Sequence, residues 1–193
     1  VDLLKYAVHE KGVAIGAHGV RSGKDYVKNF SYACSVQAGD HTSSTSLTLD
    51  ESELSSIMAD SAVYCFFNTF DLEDTEVFSV YEAVTGWKLP NKKWYDEKAL
   101  RILHLQRAML LLGGPDAKWR PKIDDDNPSI FWEPLPSGPY KGKTLDRKKF
   151  EKARLKYYSA VGWDEDGVPR PETLRRLGLE NVEAKLKEVG LIK

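Results

Sequence analysis

Only two cysteines, Cys34 and Cys65, occur in 193 residues. That is too few for a disulfide framework, and in a cytosolic setting each reads as a buried thiol, a reactive group or a metal ligand. Charge of one sign is also missing. The chain carries 28 basic and 29 acidic residues for a net charge of −1, and no basic stripe marks a nucleic-acid partner. Long apolar runs are absent: "AMLLLGG" (108–114) falls far short of the roughly 20 residues that cross a bilayer, so a soluble protein is expected. No repeat and no low-complexity tract is visible. Neither a signal peptide nor an initiating methionine opens the chain, and Val1 is read as an excision point within a longer polypeptide. Nothing alternates at period two long enough to make a sheet.

What is present is helical. With 41% hydrophobic residues and five tryptophans the chain can fill a core, and it is read as a single all-α domain, 1–193, with long ordered irregular loops. "GVAIGAHGVRSG" (12–23) suits a buried glycine-rich loop. Tyr26, Phe30, Ala33 and Gln37 then fall at helical spacing, predicting a helix over 23–37 that Gly39 helps to end. Asp50 and Glu53 make a capping-box pattern for a helix running toward Cys65. Asp71 or Asp74 starts another, closed by Gly86 as its residue beyond the C-cap. "DEKALRILHLQRAMLLLGG" (96–114) is apolar on nearly every face in its second half, the pattern of a helix surrounded by protein. Six prolines between Pro115 and Gly142 predict an ordered arm rather than a helix, with the acidic run Asp124–Asp126 as a solvated turn. Phe150, Ala153, Tyr157 and Val161 share one face of a further helix, and two short helices finish the chain.

Few residues can carry chemistry. His9 and His104 read as structural histidines; His18 lies in the glycine-rich loop, where it could bond the backbone or line a cavity. His41, after Gly39 and Asp40 in "QAGDHTSS" (37–44), sits where a side chain can reach a pocket. Its near-neutral pKa suits proton transfer, and the competing reading is a turn interaction with Asp40. Cys34 falls near the apolar face of its helix and reads as core. Cys65 closes "DSAVYC" (60–65), five residues after Asp60; a thiolate in such a wall suits an iron–sulfur cluster, although one cysteine cannot supply four ligands. "DEDG" (164–167) lacks the spaced ligands of a calcium loop and reads as a turn.

Taken together, "AGDHTSS", "DSAVYC" and the tail "YYSAVGWDEDGVPRPETLRRLGL" (157–179) resemble the C-terminal domain of the tungsten-containing aldehyde ferredoxin oxidoreductase family, over nearly the whole chain. The resemblance implies a tungsten-bis-pterin centre and a [4Fe–4S] cluster, aldehyde oxidation to carboxylic acid, and ferredoxin or an electron-transfer subunit as partner, in an oligomer of an anaerobic cytoplasm. It implies roles by motif: His41 as the pocket histidine, Asp60 as the carboxylate that binds a pterin amine, Tyr64 as a backbone contact to the pterin, and Cys65 as the fourth cluster ligand. Val63 and Tyr64 depart from the family pattern, Asp-x-x-Gly-Leu-Cys. The other cluster cysteines and the pterin-binding N-terminal domain are absent from the chain, which implies the last domain of a larger subunit, not expected to be active alone. Two further readings are a related enzyme reducing an aromatic acyl-CoA at low potential, and a metal-free helical interaction module.

Overall fold

The computed structural model describes residues 3–15, 32–39, 51–63, 65, 74–88, 92–114 and 118–193. Seven α-helices dominate them: α1 (Glu51–Ala62), α2 (Asp74–Thr85), α3 (Lys92–Leu112), α4 (Pro121–Asp124), α5 (Arg147–Val161), α6 (Pro171–Arg176) and α7 (Glu180–Glu188). The all-α class holds, with one addition. Two strands of two residues, β1 (His9–Glu10) and β2 (Val13–Ala14), pair antiparallel with Glu10 opposite Val13. Lys11 and Gly12 between them both have positive φ, 50° and 86°, the two-residue turn whose twist matches paired strands. Strands this short leave no period-two signal, and the expected glycine-rich loop is a hairpin where it is described.

The segment 32–39 corrects a second expectation. It is a series of turns rather than the end of a helix, with Ser35 N donating to Tyr32 O and Ala38 N to Ser35 O. Gly39 serves close approach: a Cβ there would lie 2.5 Å from Val13 O, so only glycine lets this segment lie against β2.

Helix α3 is the axis of the fold, packed against α1 on one side and α7 on another. Ala99, Leu103, His104, Arg107, Ala108 and Leu111 are buried along it, whereas Leu105 and Met109 are exposed. The helix therefore buries a stripe and is not surrounded, because its Leu-rich end is only half wrapped by α6 and α7. Leu103 and Ala99 join Leu54, Ile57, Phe150, Tyr157 and Trp163 in the main core; Ala108 joins Leu174, Leu177, Val182 and Leu186 in a second.

Helix α5 follows its sequence signals closely. Asp146 caps it by accepting from Lys149 N at 3.1 Å, and Gly162 ends it at φ 90°. Phe150, Tyr157, Tyr158 and Val161 face inward. The tail beyond it closes on itself: Asp164 Oδ1 accepts from Asp166 N and Val168 N, and Trp163 bridges Pro169. This is the turn expected of "DEDG".

Candidate functional site

Two groups of side chains stand out, one at the end of α1 and one buried under the hairpin. At the first, Val63 N donates to Asp60 O and closes the helix with Val63 at φ 59°. Asp60 is exposed, and its Oδ2 accepts from Gln37 Nε2 at 2.6 Å. Cys65 lies three residues past the helix and is exposed, while Cys34 is buried. This bond holds the turn segment 32–39 against the end of α1. His18, His41 and Tyr64 lie outside the described residues. Among the described residues no three His, Cys, Asp or Glu side chains converge to hold a metal ion.

Cys34 behaves as the core residue expected. It is 2% exposed, and burial, reinforced by the nearby Asp125 carboxylate, pushes its thiol well above the ordinary range. His104 is likewise structural. It is fully buried, its Nδ1 lies 2.7 Å from Leu100 O, and burial lowers its pKa to about 4. His9 Nδ1 accepts from Gly12 N across the hairpin turn.

The second group overturns the solvated reading of the triple aspartate. Asp125 is completely buried. Its Oδ1 and Oδ2 accept from Arg107 Nη1 and Nη2 at 3.1 and 2.6 Å, a two-pronged pair, and Tyr158 Oη donates to Oδ2 at 2.5 Å. Lys11 Nζ stands 3.2 Å from Oδ1 with its side chain also buried, and it bonds Ala33 O. Burial alone would raise the Asp125 pKa, but the Arg107 and Lys11 charges hold it below the usual carboxylate range. A buried charge survives only with such partners.

Arg107 explains much of the tail. Its Nε donates to Gly167 O at 3.0 Å, and its guanidinium lies 4.2 Å from the Trp163 ring centre. A Cβ on Gly167 would lie 2.6 Å from Arg107 Nη2. The "GWDEDG" stretch is thus the seat of an arginine that ties α3 to the proline-rich arm. Tyr157 similarly reaches α1, donating to Glu53 Oε1 at 2.7 Å.

Sequence reasoning missed Glu10, Lys11, Arg107 and Asp125. One signal was there: Arg107 is the lone cation in "HLQRAMLLL" (104–112), and a charge on an apolar stripe requires a buried partner. Lys11 gave none, because only the hairpin turn carries it inward.

Known proteins resemble the chain in the same direction. Residues 3–179 match the family model described as aldehyde ferredoxin oxidoreductase, domains 2 & 3. The chain is similar to the aliphatic sulfonate oxidoreductase, WOR-like subunit, of Pyrococcus furiosus: 46% identical over 191 residues, 98% of this chain and 30% of the relative. It is also similar to the tungsten-containing aldehyde ferredoxin oxidoreductases of Pyrococcus furiosus, 35% identical over 123 residues, and of Pyrococcus horikoshii, 34% over 122. Each of these matches covers 63% of this chain and 19% of the relative. The chain therefore spans less than a third of the length of the curated relatives it matches.

Proposed function

The chain belongs to the aldehyde ferredoxin oxidoreductase family, and from that premise we propose that it is the C-terminal domain of a larger tungsten-dependent subunit, supplying one cluster ligand, contacts to the pterin and one wall of the substrate pocket. The observation that carries this reading is the contrast between its two cysteines. A ligand for a cluster shared with another domain must be presented at the surface as a thiolate. Cys65 is exposed; Cys34 is buried. Asp60 suits its role too, since the bond from Gln37 engages Oδ2 and a carboxylate has further acceptor capacity for a pterin N–H.

When bound, the tungsten-bis-pterin centre and the [4Fe–4S] cluster supply the redox chemistry, taking two electrons from the substrate toward ferredoxin or a partner subunit. This chain's residues do the rest. The Cys65 sulfur would hold iron, Asp60 would accept from a pterin amine, and the Tyr64 backbone carbonyl would add a second pterin contact that does not depend on its side chain. His41 takes a proton from a hydroxyl of the aldehyde hydrate; loss of two electrons and two protons converts that hydrate to the carboxylic acid. By the family resemblance, we infer an oligomer working in an anaerobic cytoplasm.

A second substrate reading has its own support. The relative that matches along nearly the whole chain is named for aliphatic sulfonates, whereas the aldehyde enzymes match over 63% of it. Assays of the full-length subunit with an aldehyde and with an aliphatic sulfonate, following ferredoxin reduction, separate the two. In the same assay His41→Asn should lower turnover by about 10²-fold, the usual worth of a positioned acid or base, with tungsten and iron content unchanged. Undiminished turnover would make Asp40 and His41 a turn instead.

A further inference from the structure

Helix α2 displays the stripe that a helix normally buries. Val77, Val80, Tyr81 and Val84 fall at i, i+3, i+4 and i+7, the spacing of a face that packs against a core, yet none of the described side chains of α2 is buried. Val80 is 64% exposed and Val84 80%. Trp87, one turn further on, is 64% exposed and is held beside the stripe. Gly86 turns the chain at φ 72°, Trp87 N donates to Thr85 Oγ1 at 3.1 Å, and the Trp87 ring meets the Tyr81 ring edge-on with centres 6.2 Å apart.

Helix α3 repeats the pattern. Ile102, Leu105, Met109 and Leu112 lie at i, i+3, i+7 and i+10; the first and last are half-buried, and the middle two are exposed. This is the helix whose composition predicts cover on every side, and the described residues leave part of it open. Single apolar side chains on a surface are ordinary, but two helices that present their apolar spacing outward mark a surface made to be covered.

We propose that these two stripes are the face onto which the remainder of the same subunit packs, with Trp87 as its anchor. The inference rests on the reading of the chain as one domain of a larger subunit. A chain that spans 30% of the length of its relative leaves the greater part of such a polypeptide to be accommodated. A tethered partner meets the stripes at an effective concentration on the order of millimolar, where a second copy or a separate protein must associate from dilute solution. Composition agrees with a permanent contact. Neither stripe includes a charged residue, permanent interfaces are more apolar than transient ones, and tryptophan and tyrosine are among the side chains that most often carry an interface.

Photo-cross-linking from Val84→p-benzoylphenylalanine in the full-length subunit tests this, with the joined peptides identified by mass spectrometry. Cross-links into the part of the subunit outside residues 1–193 are expected. Cross-links into residues 1–193 of the same or another copy, into a different protein, or none beyond an unirradiated control would overturn the proposal. Hydroxyl-radical footprinting of the unsubstituted subunit needs no variant. Trp87 should be oxidised as slowly as the fully buried Trp163, and Met109 far more slowly than in the urea-unfolded subunit; either one reacting at its unfolded rate would overturn the proposal as well. Tungsten and iron contents of the same preparation keep two failures apart. A metal-loaded subunit with Trp87 open to oxidation sinks this inference alone, whereas a metal-free subunit with the expected cross-links sinks the cofactor reading and leaves the interface standing.

Discussion

Val63 holds its backbone at φ 59° with its side chain 89% exposed. A β-branched residue in that region crowds its own carbonyl at a cost of about 1–2 kcal/mol, and no buried contact repays it. Val63→Gly should therefore stabilise the protein, by about 0.5–1 kcal/mol after glycine's greater unfolded-state entropy is subtracted, read as a higher midpoint in thermal melting. The departure from the family pattern at this position, visible in the sequence, acquires its physical meaning only from the backbone angle. Glu10 and His104 give opposite pH slopes. Glu10 titrates near 8 when folded against an ordinary value of 4.5, so the folded state holds the extra proton, and stability falls as pH rises from about 4.5 to about 8. His104 titrates near 4 against 6.5; the unfolded state holds the extra proton, and stability falls as pH drops from about 6.5 to about 4. Denaturant titrations across both windows should show Glu10→Gln removing the alkaline loss, which amounts to a few kcal/mol on the order of magnitude, while leaving the acid limb in place.

At the scale of elements, legibility tracks how local the cause is. The capping aspartate and closing glycine of α5 lie within its own turns, as does Gly86, whose N–H bonds Glu82 O at the end of α2. Such signals could be read from the chain. The helix expected over 23–37 is contradicted at 32–37, because Gln37 bonds Asp60 and Gly39 is pressed onto β2, contacts set by residues distant in sequence. The same holds for the proline-rich arm. Its lack of a long helix was legible, but two single turns, α4 (Pro121–Asp124) and a 3-10 turn at Ser129–Trp132, contradict the expectation of no helix, since a proline is tolerated at a first helical position. The burial of Asp125 depends on Arg107 in α3, Lys11 in the hairpin and Tyr158 in α5. These elements are joined through one carboxylate. Asp125→Asn, which keeps the shape and removes the charge, should cost about 3–5 kcal/mol by leaving two buried cations underpaired. Chemical denaturation measures it, and a loss under about 1 kcal/mol would mean that water already compensates the cluster.

Across the whole molecule, two regions divide the work. The tail from Tyr157 to Leu179, the stretch most specific in its resemblance, builds core and the seat of Arg107: Trp163 is fully buried between Tyr157, Tyr158 and His104. The end of α1 presents Asp60 and Cys65 outward. The motif that best identifies the family is thus structural, while the residues proposed for chemistry occupy short, less distinctive stretches. His41 and Tyr64 were proposed from those stretches alone. The chain supplies 30% of the length of the relative it matches along nearly its whole extent, so an outward-facing acid and thiol at one helix end fit a domain that completes a site built elsewhere in the subunit.

The most direct measurement is the iron content and cluster absorption of the full-length subunit carrying Cys65→Ala, compared with Cys34→Ala. Loss of the cluster signal and of most of its iron in the first, with both retained in the second, is the predicted result; a Cys65→Ala subunit with its full complement of iron and an unchanged cluster spectrum would contradict it.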